Sequence, residues 1–207
     1  MSLFTSARFE TSVADLRQLP PPSVPEVAFA GRSNSGKSSV INALVQLKRL
    51  ARASNTPGRT QLLNYFSLTA RPAPGAPPVL RAYLVDLPGY GYAKAPVEQR
   101  AGWDQLVGGY VAERPTLVGI VLVMDARRPL MTGDEALIDF VATRSCHLHL
   151  LLNKADQLNN AEKKNALALA AERAARIGPL ASAQLFSATR HLGVRELAEA
   201  VEGWITR

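Results

Sequence analysis

Short apolar runs alternate along this chain with segments whose apolar residues recur every three to four positions. Residues 117–125 form a continuous apolar run, which is typical of a strand covered on both faces. Residues 194–205 place apolar side chains at helical spacing and predict an amphipathic helix. The same patterns predict strands at residues 26–31, 62–69, 79–86, 147–152 and 185–187, and helices at residues 37–47, 103–110, 133–144 and 160–177.

Strands that alternate with helices predict a three-layer α/β fold. We expect a mostly parallel six-stranded sheet with one antiparallel edge strand and helices on both faces. The antiparallel strand comes from a predicted hairpin, whose tip at residues 70–78 is too rich in proline to pair. Pro20-Pro21-Pro22 predicts a stiff spacer, so we expect a loosely ordered leader at residues 1–24 and a single domain at residues 25–207.

The composition favours a cytoplasmic protein. At 207 residues and 47% hydrophobic, the chain is long enough to bury a substantial core. Its single cysteine, Cys146, excludes an internal disulfide and lies in an apolar run, which predicts a buried thiol in a reducing compartment. No apolar stretch reaches the length of a membrane span, and the N-terminus lacks a signal-peptide pattern, so we expect no membrane partner.

A phosphate-binding motif joins the first predicted strand to the first predicted helix. Residues 31–38 fit the pattern G-x-x-x-x-G-K-[ST], which chance produces about 0.01 times in a chain of this size. Its glycines let the backbone approach phosphate oxygens, and successive N–H groups with the helix N-terminus complement the anion. The predicted phosphate-binding residues are Gly31, Arg32, Ser33, Asn34, Ser35, Gly36, Lys37, Ser38 and Ser39.

Side chains around this motif provide a predicted Mg²⁺ site. The Lys37 ammonium is expected on the β- and γ-phosphates, and the Ser38 hydroxyl on Mg²⁺, which prefers oxygen ligands. Asp86-Leu87-Pro88-Gly89 fits D-x-x-G, a weak pattern alone, but it closes an apolar strand. There the Asp86 carboxylate is expected to reach a Mg²⁺-bound water. The Gly89 N–H is expected to donate a hydrogen bond to the γ-phosphate. We expect residues 87–97 to be mobile.

A second motif selects the base. Asn153-Lys154-Ala155-Asp156 fits N-K-x-D and follows a predicted strand. The Asp156 carboxylate can accept hydrogen bonds from N1–H and the 2-amino group of guanine, which adenine lacks. Asn153 is expected to approach the O6/N7 edge and to hold the phosphate loop, while the Lys154 stem lies over the purine. After Phe186, the residues Ser187-Ala188-Thr189 are expected to touch O6 through a backbone N–H.

The loop at residues 55–61 supplies the predicted sensor of the γ-phosphate. Thr60 is preferred over Thr56, because it lies just before the next strand and would complete the Mg²⁺ shell with Ser38. Arg59 either stabilises charge during hydrolysis or contacts rRNA. The predicted nucleotide contacts from this loop are Gly58, Arg59, Thr60, Gln61 and Leu62.

The positive charge of the chain is concentrated around the phosphate motif. The net charge is +7, and between Glu26 and Asp86 there is no acidic residue, while the same interval holds eight lysines and arginines. One nucleotide does not require so many cations. The excess predicts a polyanionic partner such as RNA, with a solvated basic surface as the alternative.

Together these motifs resemble those of translation-factor-related GTPases, and more closely those of the EngB/YihA family of bacterial ribosome-assembly GTPases. The resemblance is carried by residues 25–39, 56–61, 86–93 and 153–156 and extends over nearly the whole chain. The stretch most specific to this family is Asp86-Leu87-Pro88-Gly89-Tyr90-Gly91-Tyr92-Ala93. Ser35 departs from the family pattern, which has valine there.

The resemblance implies a P-loop GTPase (Ras-like) fold that binds GTP and GDP with Mg²⁺ and hydrolyses GTP slowly. It also implies association with the large ribosomal subunit during its assembly and a requirement for normal septation, which we attribute to ribosome supply. The basic stretch at residues 32–81 is then the expected contact with rRNA and ribosomal proteins. We expect the protein to be a monomer.

Slow hydrolysis is also expected from the residue after D-x-x-G. Many GTPases have a glutamine there to orient water, whereas this chain has Tyr90, whose phenol cannot replace an amide. Asn34 either coordinates K⁺ between the phosphates, as in related GTPases, or only tolerates the backbone geometry of the loop. The candidate catalytic residues are Lys37, Thr60, Gly89 and Asn34.

Two further hypotheses come from other functional classes. A GTP-dependent binding module could recruit a cell-division protein, with hydrolysis serving only as its reset. A P-loop kinase or ATPase is disfavoured by the N-K-x-D motif. The histidines do not look catalytic, since we expect one of His147 and His149 to face the core and His191 to lie in a loop, where it touches rRNA.

Overall fold

A computed structural model describes residues 3–51, 62–91 and 104–206 of the chain. Seven strands in these ranges form one sheet: β1 (Arg8–Val13), β2 (Glu26–Gly31), β3 (Leu63–Ala70), β4 (Val79–Asp86), β5 (Leu117–Asp125), β6 (His147–Asn153) and β7 (Ala181–Leu185). Their order is β1-β3-β4-β2-β5-β6-β7. Strand β3 is antiparallel to β1 and β4, and the other neighbouring strands pair in parallel.

Helices cover both faces of the sheet. They are α1 (Lys37–Val45), α2 (Gly109–Glu113), α3 (Thr132–Ala142), α4 (Asn160–Ile177) and α5 (Val194–Ile205), and a π-helical turn at Asp104–Gly108 precedes α2. Alternate residues of β2 enter opposite cores, because successive side chains of a strand point to opposite faces. Phe29 packs in the core formed with α1 and α5, whereas Ala28 packs in the core formed with α2, α3 and α4. The predicted three-layer α/β fold is confirmed.

The predicted strand count and leader were wrong. Residues 8–13, expected to be loosely ordered, form β1 against β3, with a bulge between Phe9 and Thr11. Phe4, in the turn before β1, and Val13, at the end of β1, are buried, and the Ser6 hydroxyl accepts a hydrogen bond from the Thr69 N–H at 2.9 Å. Strand β1 lacks an apolar run because most of its residues are exposed. It also covers β3, so the antiparallel strand lies second from the edge.

Several other element predictions agree with the structure. The hairpin of β3 and β4 is present; Ala70 pairs with Val79, and residues 71–78 of the predicted tip lie outside the strand pairing. Helices α4 and α5 have the predicted bounds. The last strand begins earlier than predicted and ends at Leu185, because its small, polar residues are held by pairing with β6. His149 is buried, as expected for one of the two strand histidines, and hydrogen-bonds with Ser182 and Gln184.

The parallel arrangement brings the chemically important residues to one edge of the sheet. Strands β2, β4, β5 and β6 end at Gly31, Asp86, Asp125 and Asn153, respectively. In open α/β sheets, ligands bind in the crevice outside these carboxyl ends. Among the helices that the structure describes, none has the length and apolar character needed to cross a membrane.

Candidate functional site

The phosphate loop leaves β2 at Gly31 and enters α1 at Lys37. Gly36 has φ 92° and Asn34 has φ 66°, both in the left-handed region. A Cβ atom at Gly36 would lie 2.3 Å from Asn153 Nδ2, so glycine is required by space as well as by conformation. The loop is therefore packed directly beneath the N-K-x-D motif and presents the first turn of α1 at its open end.

Lys37 and Asp86 form an ion pair at the base of the loop. The Lys37 Nζ donates to Asp86 Oδ1, and both side chains are largely buried. Asp86 closes β4, while Ser38 follows Lys37 in the first turn of α1. Of the two predicted Mg²⁺-site residues, Asp86 thus contacts the predicted phosphate-binding ammonium, and Ser38 is the next residue along α1. Their oxygen donors suit a hard cation that shares its coordination shell with phosphate and water.

The D-x-x-G segment is docked on the phosphate loop. The Leu87 N–H donates to Phe29 O at 3.0 Å, and the Ser33 N–H donates to Tyr90 O at 3.0 Å. A Cβ atom at Gly89 would lie 3.2 Å from Ser33 Oγ, so this glycine passes close to the loop. Residues 87–91 are therefore tied to residues 29–33, and residues 92–97 of the predicted mobile segment lie outside the described residues.

The phenol of Tyr90 is held by helix α3. Its hydroxyl donates to Asp134 Oδ1 at 2.7 Å, while Asp134 Oδ2 accepts from the Met131 N–H at 2.9 Å. Asp134 is 1% exposed, and burial raises its pKa and also that of Tyr90. Sequence reasoning missed Asp134. Its place in the first turn of a helix is typical of a capping residue, and no local pattern indicates the tyrosine partner.

Asn153 joins the base-selective motif to the phosphate loop. Its Nδ2 donates to Ser35 O at 2.9 Å, and its Oδ1 accepts from the Ala188 N–H at 3.3 Å. The side chain is buried at the end of β6. The expected tie between Asn153 and the loop is therefore present, and the same side chain also reaches the Ser187-Ala188-Thr189 turn.

Asp156 is exposed and prepared to accept hydrogen bonds. Ser187 Oγ donates to Asp156 Oδ1 at 2.5 Å, and this bond is the main cause of the lowered pKa of Asp156. An ionised carboxylate is the form that accepts from two donors on a guanine. The hydrogen bond from the Ser187 hydroxyl was not predicted, because only a backbone N–H of this turn was expected to contact the nucleotide. Phe186 lies fully buried beneath it, with backbone bonds to Leu152 and Ala155.

Lys154 extends from the base motif to the phosphate loop. It has φ 66°, and its Nζ donates to Asn34 O at 2.6 Å and to Asp125 Oδ2 at 3.0 Å. Asp125 was also missed, although it ends an apolar strand at the same edge as Asp86 and Asn153. Its bonds to Arg127, and then to Lys154, lower its pKa.

Comparison with known proteins identifies the family of the chain. Residues 26–154 match a family model described as "50S ribosome-binding GTPase". The chain is 49% identical to the "Probable GTP-binding protein EngB" of Burkholderia pseudomallei, over 98% of the chain and 92% of that protein. The equivalent protein of Aromatoleum aromaticum is 45% identical over 99% of the chain and 90% of its own length. The chain belongs to the EngB family of P-loop GTP-binding proteins.

Solved structures support the fold. A crystal structure of a probable GTP-binding protein EngB matches with a TM-score of 0.62 and 21% identity, over 87% of this chain and 98% of that one. The structure of Era in complex with MgGDPNP and a segment of 16S ribosomal RNA matches with a TM-score of 0.59 and 23% identity, over 87% of this chain and 56% of that one. At these identities the likeness shows the fold alone.

Ser35 marks the departure of this EngB-family chain from the expected valine. The residue is 3% exposed, and its Oγ has no hydrogen-bond partner within the described part of the chain. A Cβ atom at Gly31 would lie 2.7 Å from this oxygen, so the side chain is packed under the start of the loop. A buried, unpaired hydroxyl costs free energy that a valine would not.

The remaining predicted site residues are placed as follows. Arg32 is half-buried, and its backbone forms an isolated β-bridge with that of Tyr90. Ser39 is exposed, whereas Pro88 and Leu62, which lies just before β3, are half-buried. Thr56, Gly58, Arg59, Thr60 and Gln61 lie outside the described residues. The assignment of the γ-phosphate sensor to Thr60 and the role of Arg59 stay predictions.

Proposed function

We propose that this EngB-family chain is a Mg²⁺-dependent GTPase that acts as a slow molecular switch in assembly of the large ribosomal subunit. A requirement for normal septation would follow from ribosome supply, and the place of action would be the cytoplasm. The observation that carries nucleotide binding is the Asn153 hydrogen bond to Ser35 O, which joins the base-selective motif to the phosphate loop at 2.9 Å. One rigid unit can thus read both the base and the phosphates of a nucleotide.

The residues around the loop would divide the work on GTP. Lys37 would leave Asp86 for the β- and γ-phosphates, since these anions offer its ammonium a stronger partner. Ser38 would bind Mg²⁺ directly and Asp86 through a water, with Thr60 completing the shell in the triphosphate state. When bound, Mg²⁺ would neutralise charge that develops on the phosphate oxygens. Gly89 would offer its N–H to the γ-phosphate.

The slow rate is supported by the position of Tyr90. Its hydroxyl is committed to Asp134, and burial of the pair opposes ionisation of the phenol. No amide therefore stands at this position to orient an attacking water. Charge stabilisation would come from elsewhere, and K⁺ bound at Asn34 is one source. The left-handed φ of Asn34 is also what the alternative, a purely conformational role, requires.

A comparison of GTP turnover in KCl and NaCl tests the role of Asn34. If Asn34 coordinates K⁺, the protein should turn over roughly tenfold faster in KCl, because a cation there does the electrostatic work of an arginine finger. Asn34→Ala and Asn34→Gly should both lose the K⁺ response. Retention of the response in Asn34→Gly, which keeps the backbone free to adopt a positive φ, would assign Asn34 a conformational role. Absence of any K⁺ preference in the unaltered protein would reject the K⁺ site.

The ribosomal partner is supported by charge and by family. The acid-free interval holds exposed cations on the described surface, including Lys48, Arg49, Arg71 and Arg81. The matching family model is described as a 50S ribosome-binding GTPase. Exposed cations suit contact with RNA phosphates. Arg71 and Arg81 lie toward the hairpin end of β3 and β4, opposite the end at which Asp86 stands.

Salt dependence of binding to 50S particles tests this surface. The logarithm of affinity should fall linearly with the logarithm of salt concentration, because each neutralised phosphate releases counterions. The variant Lys48→Gln/Arg49→Gln should bind more weakly, and its slope should be smaller by about one per lost phosphate contact. Lys163→Gln/Lys164→Gln, on helix α4, is the matched control and should bind unchanged. A flat salt response would favour the alternative, a module that recruits a cell-division protein.

A further inference from the structure

Asp125 ends strand β5 next to the base-selective motif, and neither the motifs nor the family match assigned it a task. We propose that Asp125 is a positioning residue for the purine site, which acts by holding the Lys154 side chain in place before the nucleotide arrives. The proposal rests on the guanine-nucleotide site described above and concerns the affinity of that site for any purine that Lys154 covers.

The Lys154 side chain is fixed at its far end by two oxygen atoms. Its Nζ donates to Asn34 O at 2.6 Å and to Asp125 Oδ2 at 3.0 Å. Asp125 pairs with Asn153 across β5 and β6, and the Ala126 N–H donates to Asn153 O at 2.7 Å. Asp125 is thus the strand partner of the residue that precedes Lys154. The pairing of β5 with β6 therefore sets the distance between the carboxylate and the lysine.

Arg127 fixes the carboxylate in turn. Its Nε donates to Asp125 Oδ1 at 2.9 Å and its Nη2 donates to Asp125 Oδ2 at 2.6 Å. The Arg127 backbone N–H adds a bond to Oδ1 at 3.1 Å. A two-pronged contact of this kind defines the orientation of a carboxylate as well as its charge. Asp125 is therefore an ionised acceptor with a set direction.

The physical advantage is the prior ordering of a flexible side chain. A lysine has four rotatable bonds, and fixing it when a ligand binds costs conformational entropy. A stem held at both ends before binding avoids most of that loss at the moment of binding. Because the stem would touch the face of the purine and not its hydrogen-bonding edge, the benefit should be the same for guanine and hypoxanthine.

Displacement of a fluorescent GDP analogue by GDP, IDP and ADP tests the proposal. Asp125→Asn should bind GDP and IDP roughly tenfold more weakly, with faster dissociation and an unchanged ratio between the two. Lys154→Met should weaken binding at least as much, and adding Asp125→Asn to it should cause no further loss. Glu199→Gln, which removes a carboxylate from the exposed Arg195–Glu199 pair of α5, is the matched control and should bind as the unaltered protein does.

A second variant tests the same proposal if Asp125→Asn is poorly folded. Arg127→Gln alters an exposed side chain and should weaken GDP binding about threefold, an effect that disappears in the Lys154→Met background. Unchanged GDP affinity in Asp125→Asn, or a loss that persists fully in the Lys154→Met background, would overturn the proposal. A protein that binds ADP as well as GDP would instead refute the guanine site on which the proposal rests.

Discussion

Replacement of Asp156 by asparagine is expected to weaken GDP binding by roughly 10³-fold or more and to create a preference for XDP. The Asp156 carboxylate accepts from two donors on guanine. An asparagine at this position replaces one carboxylate oxygen with an NH₂ group, so a donor of the protein would face a donor of guanine. Xanthine carries a carbonyl where guanine has the 2-amino group, so it can accept from that amide. Competition titrations with GDP, XDP and ADP measure both effects.

Ser187→Ala is the matched control for this prediction. It removes the hydroxyl that donates to Asp156 at 2.5 Å but keeps the carboxylate. GDP binding should weaken by about tenfold, which corresponds to one hydrogen bond to a charged group, and the base preference should not change. If Asp156→Asn kept its GDP affinity, or lost it without gaining XDP, the assignment of Asp156 to the guanine edge would be wrong.

Arg114→Met is expected to destabilise the fold strongly. Glu26 is 0% exposed and accepts from Arg114 Nε at 2.8 Å, and the Arg114 side chain is 6% exposed. Removal of one partner of a buried ion pair costs about 3–5 kcal/mol, because a charge remains buried without compensation. The three hydroxyl donors of Tyr65, Tyr110 and Thr116 would remain on the carboxylate. Thermal unfolding should show a fall of roughly 10 °C in Tm.

The double variant Glu26→Gln/Arg114→Met separates charge from packing. It removes the buried charge along with its partner, so it should recover at least half of the lost stability. Arg195→Met breaks an exposed pair with Glu199 and should leave Tm unchanged. Equal destabilisation by Arg114→Met and by the double variant would show that the lost contacts of the arginine, and not the stranded carboxylate, determine the effect.

The sequence predicted those parts of the site that are encoded locally. The phosphate loop and the N-K-x-D motif each lie within eight residues and directly follow a strand, so their placement at one sheet edge followed from the parallel topology. The Asn153 contact with the loop, over 118 residues of sequence, was predicted because the motif itself carries that geometry.

Contacts without a local pattern were not predictable from one sequence. Tyr90 and Asp134 are 44 residues apart, and neither residue signals the other. Strand β1 is mostly exposed and has no clear apolar alternation. It is a strand because its backbone pairs with β3, which the sequence pattern does not show. Asp125 could have been found from its position at the end of an apolar strand, but its contact with Lys154 depends on the register of β5 and β6. Tertiary pairing decides such features.

Co-sedimentation with purified 50S particles, in GTP, a non-hydrolysable GTP analogue or GDP, tests the proposed switch most directly. The nucleotide state should alter the D-x-x-G segment, which is docked on the loop through Ser33 and Tyr90. We expect the protein to pellet with the particles in GTP and in the analogue but to remain in the supernatant in GDP. Equal pelleting in all three nucleotides, or none in any, would contradict the proposal of a GTP-dependent ribosomal switch.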